Sequence, residues 1–233
     1  MPKLTWIGHS AFMLEDDAGN VVAVDPFIED NPVTSVDPKS LKPSTILLTH
    51  AHNDHVGDTI DMAEWNDAKV ICTVELGNWL ESQGVRDVVG ANHGGTVAFT
   101  GGTAKFTPAW HSSSYWDGQN QVANGIPAGL IVRFGGRAFY FAGDTALFGD
   151  MRLIGEEGID VAILPIGDHF TMGPDDAARA AEFVGAKTVI PCHYNTFPPI
   201  RQDPQAFRAK VAQRVPDARV VILAPGESFD AGR

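Results

Sequence analysis

Thr45-Ile46-Leu47-Leu48-Thr49-His50-Ala51-His52-Asn53-Asp54-His55 joins a short apolar run to three histidines and an aspartate packed into six residues. The run from Thr45 to Thr49 reads as a strand buried on both faces. The six residues from His50 to His55 are not an ordinary loop, because solvated turns favour Ser, Asn and Gly over imidazole. Metal binding explains the crowding. Imidazoles two residues apart can converge on one cation, while the carboxylate and the adjacent imidazole turn toward a second. The segment Thr59 to Trp65 beyond it reads as a helix, and the carboxyl end of a strand entering a helix is where α/β folds place ligands.

Each ion of a two-metal site needs several N or O ligands, so one turn cannot complete it and other strand ends must contribute. His111 follows the strand-like Ala104 to Thr107, Asp144 follows Ala138 to Phe141, and His193 follows Thr188 to Pro191. The first half otherwise reads as a meander (Leu4 to Gly8, Ala11 to Glu15, Val21 to Val24) that gives way to βα units, with Val70 to Thr73 preceding a helix from Val74 to Gln83 closed by Gly84. Gly101-Gly102 and Gly135-Gly136 mark two hairpins. The last third alternates Val161 to Leu164, a helix near Asp175 to Val184, Thr188 to Pro191, a helix near Pro204 to Arg214, and Val220 to Leu223. Both halves mix meander strands with βα units, which predicts two mixed sheets packed face to face with helices outside.

The order of these residues carries a resemblance. His-x-His-x-Asp-His at His50 to His55, an isolated His111, Gly143-Asp144-Thr145 and a last His193 after an apolar strand resemble the metallo-β-lactamase superfamily. Trp6-Ile7-Gly8-His9-Ser10, Asp25-Pro26 and Thr171-Met172-Gly173-Pro174 resemble the branch that contains L-ascorbate-6-phosphate lactonase and metal-dependent hydrolases of unassigned substrate. The resemblance implies an αββα sandwich with metals at one edge of the sheets. It implies that His50, His52 and His111 hold one metal, that Asp54, His55 and His193 hold the other, and that Asp144 bridges them. Two divalent cations would lower the pKa of a bridging water so that hydroxide exists near neutral pH, and Asp54 could orient it or take its proton. Zinc heads the expected metals, with manganese, iron and nickel also suited to these donors.

Three more residues are candidates. His9 and Asp25 are expected behind the ligands or against substrate, since a metal-bound imidazole usually gives its other N–H to a carboxylate or carbonyl. His169 is the candidate for gripping the substrate or a developing oxyanion. Tyr115-Trp116, in the polar stretch from Ser112 to Gly125, is expected to form a flap over the site.

A chain of 233 residues with 44% hydrophobic and 20% charged residues reads as one globular domain spanning 1–233. The net charge of -12, with 17 Lys+Arg spread without runs, disfavours nucleic acid as a partner. Cys72 and Cys192 read as buried small hydrophobes rather than a disulfide framework. Met1 to Trp6 lacks an apolar core and a cleavage site, and no apolar run reaches membrane-spanning length, so a cytoplasmic protein is expected. The leading reading is a hydrolase of a small-molecule lactone, ester or phosphoester, and a homo-oligomer is compatible with it. The alternatives are a nuclease or phosphodiesterase acting on RNA or a nucleotide, and a non-catalytic metal-binding protein.

Overall fold

The computed structural model describes residues 1–232. The first half of the chain forms β1 (Lys3–Gly8), β2 (Ala11–Glu15), β3 (Val21–Val24), β4 (Thr45–Leu47), α1 (Asn53–Val56), α2 (Thr59–Asn66), β5 (Lys69–Thr73), α3 (Val74–Ser82) and β6 (Val88–Ala91). The second forms β7 (Thr96–Phe99), β8 (Gly102–Pro108), the short pair β9 (Ser114–Trp116) and β10 (Gln121–Ala123), β11 (Ala128–Phe134), β12 (Arg137–Phe141), α4 (Met151–Gly155) and β13 (Val161–Pro165). It continues with α5 (Pro174–Val184), β14 (Thr188–Cys192), α6 (Pro204–Arg214), β15 (Arg219–Val220) and β16 (Ser228–Asp230).

One sheet has the order β16-β1-β2-β3-β4-β5-β6 and the other β15-β14-β13-β12-β11-β8-β7. Each is antiparallel at one side and parallel at the other, because hairpins build the first part and βα units the second. Period-two alternation sorts the side chains of the first sheet. Phe12, Leu14, Val22, Val24, Leu47 and Ile71 point to the core shared with the second sheet. Ala11, Met13, Ala23, Ile46, Leu48, Val70 and Cys72 face outward onto Met62 and Ala63 of α2 and Leu76 and Leu80 of α3. Burying both faces needs a helix layer, which is why the apolar run at Ile46 is flanked by α2 and α3. On the far side α5 turns its alanines and Val184 inward, and Phe207 and Val211 of α6 join the same core. Each large apolar side chain so buried contributes about 1.5–3 kcal/mol. The expected αββα sandwich is the architecture found.

Local signals set the element ends. Gly135 and Gly136 have φ of 56° and 78°, the paired left-handed conformation of a tight two-residue hairpin between β11 and β12. Asp203 caps α6 by accepting from the Gln205 N–H at 2.9 Å, with Pro204 in the first helical position.

Three expectations need correction. The strand read as Val220 to Leu223 is only Arg219–Val220, since Val221 keeps a single backbone bond to Val189 and pairing stops there. The strand read as Thr45 to Thr49 ends at Leu47, because the Thr49 N–H turns to the Asp25 carboxylate at 2.8 Å instead of a ladder partner. The polar stretch after His111 is not simply a loop: Ser114–Trp116 pairs with Gln121–Ala123 in a small hairpin.

Candidate metal centre

Predicted ligands and the two residues expected behind them come off strand ends at one edge of the two sheets. His9 follows β1, Asp25 follows β3, His50 follows β4, Asp144 follows β12 and His193 follows β14. His9, Asp25 and His193 have φ of 54°, 44° and 52°, so the chain turns abruptly there and aims the side chain along the edge. The turn from His50 becomes a single helical turn, α1, that presents His52, Asp54 and His55 from one loop. Gly57 closes it with φ 42°, and a Cβ there would lie 2.5 Å from the Phe27 Cα and the Pro26 carbonyl. The histidine turn can therefore pack against the Asp25-Pro26-Phe27 segment only because residue 57 has no side chain.

The donor atoms fall into overlapping groups, each within 4.8 Å: His50, His52 and His111; Asp54, His55 and His193 together with His9; and His50, His55 and Asp144. Asp144 stands between the first two. Its Oδ2 is 3.5 Å from the His111 Nε2 and 3.0 Å from the His193 Nε2, and its Oδ1 is 3.4 Å from the His55 Nε2. The His50 Nε2 and His52 Nδ1 face one another at 3.0 Å, an arrangement that suits two lone pairs directed at one cation. The His55 Nε2, Asp144 Oδ1 and His193 Nδ1 are buried without a hydrogen-bond partner among the described residues. Buried donors and acceptors are normally satisfied, so the two orphans inside the cluster, the His55 Nε2 and the Asp144 Oδ1, fit a bound cation, while the His193 Nδ1 lies on the far side of its ring toward Gly167.

Behind the ligands lies a hydrogen-bonded support. Asp25 accepts from the Thr49 N–H at 2.8 Å and the Thr49 hydroxyl at 2.6 Å, and its Oδ2 is 2.8 Å from the His55 Nδ1. The Thr49 Oγ1 also lies 3.0 Å from the His50 Nδ1. The far ring nitrogens of two ligands are thus held while their near nitrogens face the cluster. His9 is fully buried, with its Nε2 3.1 Å from the Asp54 Oδ2 and its Nδ1 2.9 Å from the Thr196 Oγ1. Thr49, Ser112 and Thr196 were not among the expected residues. Thr49 had a signal, since it immediately precedes His50; Thr196 had none.

Without metal the cluster is electrostatically divided. Burial, and then the neighbouring His193, lower the His9 pKa to about 4, so this imidazole is neutral and its contact with Asp54 is a hydrogen bond rather than an ion pair. Burial also lowers His50, His52 and His111, reinforced by His55 for His50 and by His111 for His52. Burial acts to raise Asp144, but His193 and His55 hold it well below the carboxylate range. For His55 the burial effect is outweighed by Asp144 and Asp25, which raise it well above 6.5. A cation arriving there must displace a proton.

The signs give a prediction for the metal-free protein. His9 has its lowered value only when folded, so its contribution is complete above pH 6.5 and is lost as pH falls toward about 4. That single shift corresponds to about 3 kcal/mol. His50, His52 and His111 add in the same direction, and Asp54 and Asp144 add below the carboxylate range; His55 in the cluster and Asp58 beside it, raised by burial, oppose, their contributions being full in acid. The melting temperature measured in chelator should fall as pH drops from about 7 to about 4. A flat or rising profile would contradict this charge distribution.

His169 is not part of the cluster. It is exposed, and its ring contact is an edge-on one with Phe170 at 4.4 Å. The loop carrying it is tied to the site by backbone alone, the Met172 N–H donating to the Thr145 carbonyl at 3.0 Å. Cys192, although next to His193, is a free buried thiol pushed up by burial and by Asp144, as its strand position predicts.

Residues 20–194 match the β-lactamase superfamily domain. The chain belongs to the metallo-β-lactamase superfamily. It is similar to the UPF0173 metal-dependent hydrolase of Geobacillus thermodenitrificans, with 49% identity over 98% of this chain and 99% of that protein. The corresponding metal-dependent hydrolase of Thermus thermophilus is 46% identical over 97% of this chain and 98% of the other. Among solved structures, Igni18, a metallo hydrolase from the archaeon Ignicoccus hospitalis, is 39% identical, with a TM-score of 0.87 over 98% of both chains. The metallo-β-lactamase fold is thus shared from end to end, and the protein is a metal-dependent hydrolase of that superfamily.

Proposed function

We propose that the protein hydrolyses a small lactone, ester or phosphoester in the cytoplasm, with a pair of divalent cations in the histidine-aspartate cluster. The observation that carries this reading is the position of Asp144, whose two carboxylate oxygens reach His111, His193 and His55 from both ligand groups. His50, His52 and His111 would hold one cation, Asp54, His55 and His193 the other, with Asp144 shared. Bound divalent cations supply Lewis acidity, lowering the pKa of water and polarising the bond to be cleaved. Zinc suits such imidazole-rich donors, and manganese, iron or nickel can replace it.

The chain's own residues divide the remaining work. Asp54 is the only carboxylate of the cluster with appreciable exposure, its side chain 31% accessible, so it meets water and substrate. Burial acts to raise its pKa, but His9 and His55 bring it below the usual range. A carboxylate so stabilised is a weak proton acceptor, and orienting the attacking water is the better role for it. His9, neutral and fixed by Thr196, keeps Asp54 in place.

A small uncharged or weakly charged substrate fits better than a nucleic acid. The cavity of about 360 Å³ beside Asn53 is lined by Glu29, Asp30, Asp58 and Asp61 and by no lysine or arginine. Together with the net charge of -12, that lining repels a polyanion. Both cysteines are free and buried, and no helix among the described residues is long and apolar enough to cross a membrane, which supports a cytoplasmic setting.

Elemental analysis with an activity screen tests the proposal. After chelation and reloading, about two equivalents of metal per chain should bind, and turnover of a lactone, phosphodiester or thioester should appear only in the loaded protein. Full activity with a single equivalent would rule out the paired mechanism, and a loaded protein inert toward every hydrolysable class would rule out the hydrolase reading.

A further inference from the structure

The segment after His111 is stitched to the metal-ligand turn residue by residue. The Ala51 N–H donates to the Ser113 Oγ at 3.2 Å, and the His52 Nε2 lies 3.2 Å from the Ser112 Oγ. Asn53 then makes two reciprocal bonds with one residue of the hairpin: its Nδ2 donates to the Trp116 carbonyl at 2.9 Å, and its Oδ1 accepts from the Trp116 N–H at 2.9 Å. A side-chain amide that satisfies both backbone groups of one residue copies a strand partner. The base of the hairpin is closed by Ser113, whose hydroxyl donates to the Asn124 carbonyl.

Position makes the latch consequential. Asn53 lies between His52 and Asp54, so it cannot move without moving the ligand turn. On its other side the hairpin covers a cleft. The Tyr115 ring packs at a tilt of 38° against Trp79 of α3, centroids 4.4 Å apart, and Tyr115 and Ile60 are shared by the cavity that reaches Asn53 and Phe27 and by the neighbouring one that reaches Trp79, Trp116 and Gly118. Phe27 in turn meets His9 edge-on at 5.8 Å. Both cavities therefore lie under the hairpin and beside the ligand turn, with Phe27 packed between them and the buried His9.

We propose that Asn53 is a positioning residue that latches the Ser114–Ala123 hairpin to the ligand turn, so that metal filling the His50, His52 and His111 cluster also fixes the hairpin over the cavities beside that turn. This rests on the cluster being a metal site, as proposed above. His111 and Ser112 at the start of the segment, and His50 and His52 at the start of the turn, are drawn together by one ion. Asn53 carries that constraint to Trp116. Local opening of the hairpin becomes rarer when the turn is held.

Hydrogen exchange over residues 112–124, with and without saturating zinc, tests the latch while zinc binding is measured on the same samples. In the unsubstituted protein, zinc should slow exchange of the hairpin amides by about tenfold or more, the size expected for two coupled hydrogen bonds. Asn53→Ala, at an exposed position, should still bind zinc but lose that metal-dependent slowing. Trp116→Ala should keep it, because the latch uses the backbone of residue 116. If Asn53→Ala retained the slowing, or the unsubstituted protein bound zinc without any, the latch would be wrong. If the unsubstituted protein bound no zinc, the metal-site reading itself would fail.

Discussion

With the paired cations proposed above, Asp144→Asn should lower hydrolysis by about three orders of magnitude, equivalent to about 4 kcal/mol of lost transition-state stabilisation, and reduce bound metal from about two equivalents to about one or fewer. The substitution keeps the shape of a side chain that is 3% exposed, so the fold should survive and the loss should be chemical. The change removes the buried negative charge facing His55 and His193 and close to His111. A neutral amide has one oxygen to share where the carboxylate has two, and its NH2 would point a donor at imidazoles that need an acceptor or a cation. In the metal-free protein the same change removes one of the two charges that raise His55, so the imidazole should titrate at a lower pH by NMR. Unchanged metal content together with unchanged turnover would overturn the role assigned to Asp144.

Asp25→Ala should act differently, through stability first. Three donors converge on that carboxylate: the Thr49 N–H, the Thr49 hydroxyl and, when protonated there, the His55 Nδ1. All lie at buried residues, so truncation leaves them unpaired, with a cost of about 3–5 kcal/mol. For a chain of this size that corresponds to a melting temperature lower by about 10 °C. Metal affinity should also fall by about 10–100-fold, because His55 loses the partner that orients its ring. Thermal melts of the metal-free and zinc-loaded protein separate the two effects: the deficit should be larger in the loaded protein. A variant melting within about 2 °C of the parent in both states would show that Asp25 is not the anchor described.

Much of this site was legible in the sequence because metal ligation imposes residue type and order at once. His50, His52, Asp54 and His55 sit in one turn, and His111, Asp144 and His193 each follow a recognisable strand, so alternation and turn chemistry locate them without coordinates. The sandwich was legible for a similar reason. Apolar runs such as Thr45 to Thr49, followed by helical segments, have only a sheet buried on both faces to join. The supporting contacts were not. Thr196 reaches His9 across 187 positions of chain, and no local pattern announces a pairing that tertiary packing creates. His169 stands apart from the ligands: its backbone at φ 38° leaves an exposed ring beside Phe170, outside the histidine-aspartate cluster. The hairpin of β9 and β10 was hidden because Ser, Asp, Gly, Gln and Asn dominate it, and its pairing is completed by a side chain from another element, Asn53.

The left-handed turns at His9, Asp25 and His193 set a limit on how far this protein can be hardened. Each holds a side chain other than glycine in a backbone region that disfavours it, at about 1–2 kcal/mol apiece. Replacing any of the three with glycine would relax the chain and take away the group that the turn exists to aim. Engineering for heat tolerance should therefore find its gains in the outer helices and surface loops, while these corners remain tense for as long as the enzyme works.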